Sequence, residues 1–151
     1  MQTFDNHSDL SFSFPESWKL DGDDSAANAG TISVVSPEGG FWCVRRERND
    51  SDYDAIVQQA ITAMRDVYSD LEVDTVVEHV AGERLSGVDM HFFCLDLTGT
   101  AAIRVWQTLH GKYVIFSQAD DAHLTHCKPI FDAITASLIQ RHGNKSAEEY
   151  L

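Results

Sequence analysis

The chain has 151 residues, of which 43% are hydrophobic, and its formal net charge at pH 7 is −13. This length is typical of one domain, and the apolar content suffices for a core that needs neither a metal nor a disulfide. A dense negative charge repels phosphate groups, so nucleic acids and anionic membrane surfaces are unfavourable partners. Another protein with a basic or apolar surface is the expected partner.

The first half of the sequence predicts three strands after a flexible lead-in over residues 1–9. In LSFSFP (10–15) apolar residues alternate with serines, which is the period of a half-buried strand. A polar loop follows over 21–30. The segments TISVVS (31–36) and FWCVRRER (41–48) then predict a hairpin that turns at PEGG.

A helix is predicted next, because apolar residues recur at steps of three and four positions. Asp50, Ser51 or Asp52 can cap this helix by accepting from the free amides of its first turn. The residues of the apolar stripe are Tyr53, Ile56, Val57, Ala60, Ile61, Met64, Tyr68 and Leu71.

Four strands occupy the next part of the chain. A weak strand over 74–80 precedes three apolar segments, with tight turns expected at TG (98–99) and HGK (110–112). The three segments are GVDMHFFCLDL (87–97), TAAIRVWQTLH (100–110) and KYVIFSQ (112–118). In the first of them Met90, Phe92 and Cys94 face one side, and Phe93, Leu95 and Leu97 face the other, so we expect cover on both sides.

A second helix is predicted from Cys127 to Gln140, ended by Gly143 and Asn144, with a tail over 142–151. The order of elements predicts an α+β fold in one domain over residues 10–141. It consists of a twisted, mostly antiparallel sheet of about six or seven strands with a helix on each face.

FSFPESW (Phe12 to Trp18) and PIFDAITASL (129–138), together with the order of segments between them, resemble the PsbP-like proteins. That group includes a photosystem II subunit, a Ran-binding nuclear-import factor and small acidic bacterial proteins. The resemblance implies a PsbP-like α/β/α fold and a non-enzymatic module that docks on other proteins. It carries no functional motif onto particular residues.

Metal and catalytic candidates centre on AHLTHCKPIF (122–131). Asp120, His123, His126 and Cys127 can in principle supply zinc ligands, or Cys127 a nucleophile. The spacing matches no established zinc motif, and Pro129 disfavours helical geometry just before it. We therefore favour an interpretation without metal or cofactor, in which Asp120 or Asp121 caps a helical turn, Cys127 packs inward and the histidines are solvated.

Two further candidate sites are weaker. DGDDS (21–25) has the acidic character of a calcium loop, but its glycine comes second and no closing glutamate follows, so an acidic surface loop is favoured. A cross-strand pair of His91 and His110 is possible, although ordinary, partly exposed histidines are favoured.

Candidate partner-binding residues are aromatic or cationic, since tryptophan and arginine are frequent in binding hot spots. Trp106 and Trp42 are equally consistent with a core position and with docking. RRER (Arg45 to Arg48) is the one concentrated positive segment, and it favours a structural role on an edge strand. The candidate set is Trp106, Arg104, Trp42, Arg46 and Arg48.

Three functional hypotheses remain open at this stage. The first is a cytoplasmic protein-binding module, because Cys43, Cys94 and Cys127 form no CxxC pair and neither a signal peptide nor a membrane span is visible. A chaperone for a secreted or hydrophobic client is a variant of it. The second is a carrier of a small apolar ligand, and the third, least favoured, is a zinc-dependent enzyme.

Overall fold

The computed structural model describes residues 1–5, 10–21 and 30–148, with side chains as far as residue 143. The possible calcium loop over 21–25 therefore lies almost entirely outside the described residues. Within those ranges the chain forms nine strands and two helices. In chain order these are β1 (Gln2–Asp5), β2 (Ser11–Phe14), β3 (Lys19–Asp21), β4 (Thr31–Val35), β5 (Phe41–Glu47), α1 (Tyr53–Val67), β6 (Asp70–Val80), β7 (Glu83–Cys94), β8 (Leu97–Thr108), β9 (Gly111–Asp120) and α2 (Asp121–Glu148).

Seven of these strands form one antiparallel sheet in the order β3-β4-β5-β9-β8-β7-β6, and β1 pairs with β2 in a separate two-stranded sheet. Each neighbouring pair in the large sheet is antiparallel. The predicted α+β class and the antiparallel sheet are confirmed. Strand β1 lies where the sequence predicted a lead-in, because Phe4 stacks on Phe12 at 5.3 Å and gains burial there.

Each face of the large sheet has its own hydrophobic core. Helix α1 buries Ile56, Val57, Ile61 and Met64 against alternate residues of β7, β8 and β9. Asp52, one of the three predicted candidates, caps α1 by accepting from the backbone N–H of Asp54 at 3.1 Å. Helix α2 and strand β2 cover the opposite face, and their shared core is larger.

Helix α2 begins at Asp121, six residues before its predicted start. Asp120 Oδ1 accepts from the His123 backbone N–H at 2.9 Å and so caps the first turn. Pro129 lies inside the helix, and the helix also continues past Gly143 and Asn144. Buried Cys127 and Phe131 lie on either side of the proline in the same core, and their burial stabilises the helical backbone across it.

The turn expected at Thr98 and Gly99 is displaced, since β7 ends at Cys94 and β8 begins at Leu97. Gly99 is an internal strand residue, and a Cβ there would lie 2.1 Å from the ring of buried Phe92. The glycine is therefore required for close packing and not for a turn.

We expect Gly99→Ala to lower the free energy of unfolding by about 1–3 kcal/mol, measured by urea titration. Gly39→Ala is an unsuitable control because its φ of 93° also favours glycine.

Candidate functional site

The most distinctive surface lies on the α2 side of strands β6 and β7. Helix α2 packs chiefly against β2, β8 and β9, so the outer part of this sheet face is open. We call it the acidic shelf, and its carboxylates are those of Asp70, Glu72, Asp74, Glu78 and Asp89. Asp70, Glu72 and Asp74 are exposed, whereas Glu78 and Asp89 are half-buried.

The alternation of β6 creates the shelf. Successive strand residues point to opposite faces, so acidic residues two apart align on one face. The register pairs Glu72 with His91 and Asp74 with Asp89 on β7. Because β6 ends the sheet order, its outer edge has no neighbouring strand among the described residues. Charged side chains along such an edge discourage aggregation through edge-to-edge strand pairing.

Arg104 lies at the inner end of the shelf and is buried, with 7% of its surface exposed. Its Nε donates to Glu78 at 2.8 Å and its Nη2 donates to Asp89 at 2.6 Å. Nη1 donates to the carbonyls of Val88 and Ile103. Burial disfavours the charge of Arg104, but the hydrogen bonds that it donates to Asp89 and Glu78 outweigh this effect and raise the arginine pKa.

These bonds use four of the five N–H groups of the guanidinium. Arg104 therefore joins β8 to β6 and β7, and its side chain is not available to a partner. The sequence identified this residue as a candidate for docking, and the structure places it instead as an internal brace that fixes two shelf carboxylates.

A cavity of about 170 Å³ opens between the shelf and helix α2. Arg104, Leu85 and Ile115 contribute to it from the sheet. Leu124, Lys128, Phe131, Asp132 and Thr135 line it from the helix. This volume is below the roughly 300–1,000 Å³ of typical small-molecule sites. The cavity suits a single inserted side chain better than a carried ligand.

His91 links the shelf to the start of α2. Thr100 Oγ1 donates to Asp121 at 2.9 Å, which leaves the hydroxyl oxygen to accept from His91 Nδ1 at 3.2 Å. His91 Nε2 lies 3.4 Å from Asp74. His91 therefore lies among carboxylates rather than beside His110, which occupies the turn between β8 and β9, so the suggested histidine pair is wrong.

The His-Cys segment does not form a metal site in the structure. His123 Nδ1 lies 2.7 Å from Asp120, His126 is exposed, and Cys127 is fully buried in the core. No group of three or more histidine, cysteine or acidic side chains within residues 1–5, 10–21 and 30–143 is arranged to hold a metal ion. The favoured capping interpretation of Asp120 and the inward packing of Cys127 are confirmed.

Cys127 is also poorly suited to nucleophilic chemistry. Burial raises the pKa of its thiol, a hydrogen bond with Ser36 lowers it in part, and the charges of Glu38 and Asp120 raise it further. A nucleophilic cysteine needs a stabilised thiolate, which this environment opposes. Cys43 is similar, since burial raises its thiol pKa to about 11.

Both candidate tryptophans are core residues. Trp42 is fully buried, and its indole Nε1 donates to Thr135 Oγ1 at 3.0 Å. Trp106 is 2% exposed and stacks on Tyr113 with ring centroids 5.0 Å apart. Of the two interpretations left open for these tryptophans, a core position and a docking position, the structure supports the core position.

Arg45, Arg46 and Glu47 of the RRER segment lie on β5, and Arg48 follows it. Strand β5 pairs with both β4 and β9 and is therefore not an edge strand. Arg45 pairs with Glu47 at 2.8 Å, and Arg48 pairs with Asp50 at 3.2 Å. Arg46 donates to the His110 carbonyl at 2.9 Å and lies 5.2 Å from the centre of the Tyr113 ring. These contacts are structural, although the Arg48 side chain is 86% exposed.

An exposed apolar hairpin tip joins β7 to β8 beyond the shelf. Phe93 is 42% exposed, Leu97 is 48% exposed, and Leu95 is fully exposed with a positive φ of 57°. The sequence predicted that these residues are covered and that Leu97 shares a face with Phe93. Both expectations are wrong, because the chain turns after Cys94 and neither helix covers this end of the hairpin. Asp70 is the β6 partner of Phe93, so Phe93 continues the acidic shelf. Leu97 is the register partner of Cys94 and therefore lies on the opposite, α1 face.

Fold and site together define a two-faced α/β/α sandwich with one open, acidic sheet edge. Cyanobacterial PsbP from Synechocystis matches it with a TM-score of 0.59 and 14% identity, over 90% of this chain and 89% of that one. A mutant of the protein Mog1 matches with a TM-score of 0.51 and 10% identity, over 93% and 94% of the two chains.

A crystal structure from Bacteroides thetaiotaomicron matches with a TM-score of 0.56 and 10% identity, over 85% of this chain. Our chain spans 43% of the length of that protein. No protein-family model and no curated protein matches the sequence. The chain has the PsbP-like fold, as its sequence resemblance implied. No helix in the described part of the chain is long and apolar enough to span a membrane.

Proposed function

We propose that this protein is a non-enzymatic binding module of the cytoplasm that docks a basic segment of another protein on the acidic shelf. The observation that carries this proposal is the open sheet face with Asp70, Glu72 and Asp74 exposed along one strand. Residues two positions apart along a strand are separated by about 7 Å, so each carboxylate lies about that far from the next. That spacing matches alternate side chains of an extended basic peptide.

The surroundings favour a peptide over a small ion. The cavity beside the shelf can receive one side chain of the peptide, and Phe93 offers apolar contact at the far end. Peptides that add to a sheet edge gain affinity from main-chain hydrogen bonds and specificity from such side-chain pockets. The net charge of −13 steers a basic partner toward the module before contact.

Charge reversal on the shelf tests this proposal. We expect Glu72→Lys/Asp74→Lys to abolish capture of partner proteins from extract of the native cells, measured by quantitative mass spectrometry at low and physiological salt. Both side chains are exposed, so the fold is retained. A matched control, Glu38→Lys/Asp66→Lys, makes the same change in net charge at exposed positions outside the shelf. Equal capture by the two variants would contradict the proposal.

A chaperone for a hydrophobic client is the second candidate, and the exposed hairpin tip favours it. In that case Leu95→Ser/Leu97→Ser would prevent client binding, while the shelf variant would retain it. A carrier of an apolar ligand is less well supported, because the cavity under α2 is small.

A further inference from the structure

A second cleft lies on the opposite face of the sheet, beside the beginning of helix α1. It has a volume of about 490 Å³ and is open to solvent. Tyr53, Arg84, Ser86 and Lys112 supply its polar groups, while Val77 and Val105 supply apolar ones. We call it the cationic cleft. The strand residues that line the cleft, such as Ser86 and Val105, point to the α1 face of the sheet. The sheet therefore separates this cleft from the acidic shelf, which lies on the α2 face.

The most informative residue of the cleft is Lys112, a buried cation. It is only 8% exposed, yet its ammonium donates to a backbone carbonyl, that of Asn49, at 2.6 Å. Among residues 1–5, 10–21 and 30–143, no carboxylate forms an ion pair with it. Glu47 is the register partner of Lys112 on β5, but its carboxylate pairs with Arg45. An ammonium has three donors, and burying one that pairs with no carboxylate is costly. The lysine lines the cleft, so an anion bound there would compensate its charge.

Other side chains around Lys112 can also donate hydrogen bonds to an anion. Arg84 is exposed at the rim and, within the described part of the chain, forms no ion pair. Burial and the charge of Asp54 raise the pKa of the Tyr53 phenol, so this hydroxyl keeps its proton at neutral pH and can donate. Ser86 adds a second hydroxyl.

Glu83 is the one carboxylate of the lining, against two cations. The Gln107 side-chain Nε2 already donates to Asn49 Oδ1 and to the Thr108 carbonyl. Such a local excess of positive charge is unusual in a chain whose net charge is −13. The donors surround an apolar floor, which an inorganic anion alone would leave uncovered.

We propose that the cationic cleft binds a small organic oxyanion, a phosphate monoester or a carboxylate, whose apolar part packs on Val77 and Val105. The volume falls in the usual range for small-molecule sites of roughly 300–1,000 Å³. Lys112 and Arg84 hold the oxyanion by charge-assisted hydrogen bonds, and Tyr53 and Ser86 fix its orientation. This site is independent of the acidic shelf and of any protein partner.

Titration of the isotope-labelled protein, followed by amide NMR shifts, tests the site. The probes are phenyl phosphate, benzoate, inorganic phosphate and the uncharged benzyl alcohol. We expect saturable shifts at Ser86 and Gln107 with one or both aromatic anions, weaker binding of inorganic phosphate, and none with the alcohol. The tighter of the two aromatic anions identifies the preferred acidic group.

Three variants complete the test. Arg84→Gln and Lys112→Met are each expected to weaken binding of the preferred anion by about tenfold or more. Arg65→Gln, which removes an exposed cation in the last turn of α1, should leave binding unchanged. Because Arg84 is exposed, its variant retains the fold even if Lys112→Met does not. The proposal is overturned by no saturable shifts, by equal binding of benzyl alcohol, or by full binding in Arg84→Gln.

Discussion

Replacing Trp106 with alanine is expected to lower the free energy of unfolding by about 3–5 kcal/mol, the usual loss for a buried aromatic residue. Trp106 is 2% exposed, and Tyr113 stacks on it at 5.0 Å. Helix α2 also approaches it closely, since a Cβ on Gly143 would lie 3.7 Å from the indole. Truncation therefore removes contacts with the sheet and with the helix at once.

Urea unfolding measures this loss, with Leu109→Ala as the control. Leu109 is 58% exposed in the turn after the same strand, and its truncation should change stability by no more than about 0.5 kcal/mol. If Trp106→Ala costs less than about 1 kcal/mol and the fold is intact, the indole is not a core residue and its role in docking must be reconsidered.

Arg104→Met is expected to lower the free energy of unfolding by about 2–4 kcal/mol. Removing one partner of a buried ion pair costs about 3–5 kcal/mol because the other charge is left uncompensated. Here Glu78 and Asp89 each retain 30% side-chain exposure, so water compensates them in part and the loss is smaller. The variant also leaves the carbonyls of Val88 and Ile103 without the arginine donor.

A triple variant separates charge from packing. Arg104→Met/Glu78→Gln/Asp89→Asn removes the uncompensated carboxylates, and we expect it to recover at least half of the lost stability in the same urea titration. If the triple variant loses as much free energy of unfolding as Arg104→Met, then Arg104 stabilises the fold through its packing and its bonds to backbone carbonyls, and not through the two ion pairs.

The sequence predicts the sheet and the first helix well because their burial is periodic. The alternation in β2 and the three- and four-residue steps of α1 reflect one buried face each, and both elements begin close to where the sequence predicts. The helix is shorter than predicted, since it ends at Val67 and Leu71 of the predicted stripe lies in β6. The start of α2 was misplaced because Pro129 disfavours helix locally, whereas packing of Cys127 and Phe131 acts through the tertiary structure. Such long-range compensation leaves no local signal.

The candidate site was harder to predict, although one signal for it was present. Asp70, Glu72 and Asp74 alternate with apolar residues, which indicates a strand with one acidic face. Whether that face is open depends on where α2 lies, and strand order cannot be set from one sequence. For the same reason Phe93, which α2 leaves exposed, was predicted to be covered.

Site-specific photo-crosslinking in the native cells tests the proposed docking most directly. A photoreactive amino acid replaces Glu72 on the shelf or Arg65 on the exposed side of α1, and crosslinked peptides are sequenced by mass spectrometry. We predict that the shelf position yields a reproducible adduct with a lysine- or arginine-rich segment of one protein, and that the α1 position does not. Adducts from Arg65 alone, or none from Glu72, would contradict binding on the acidic shelf.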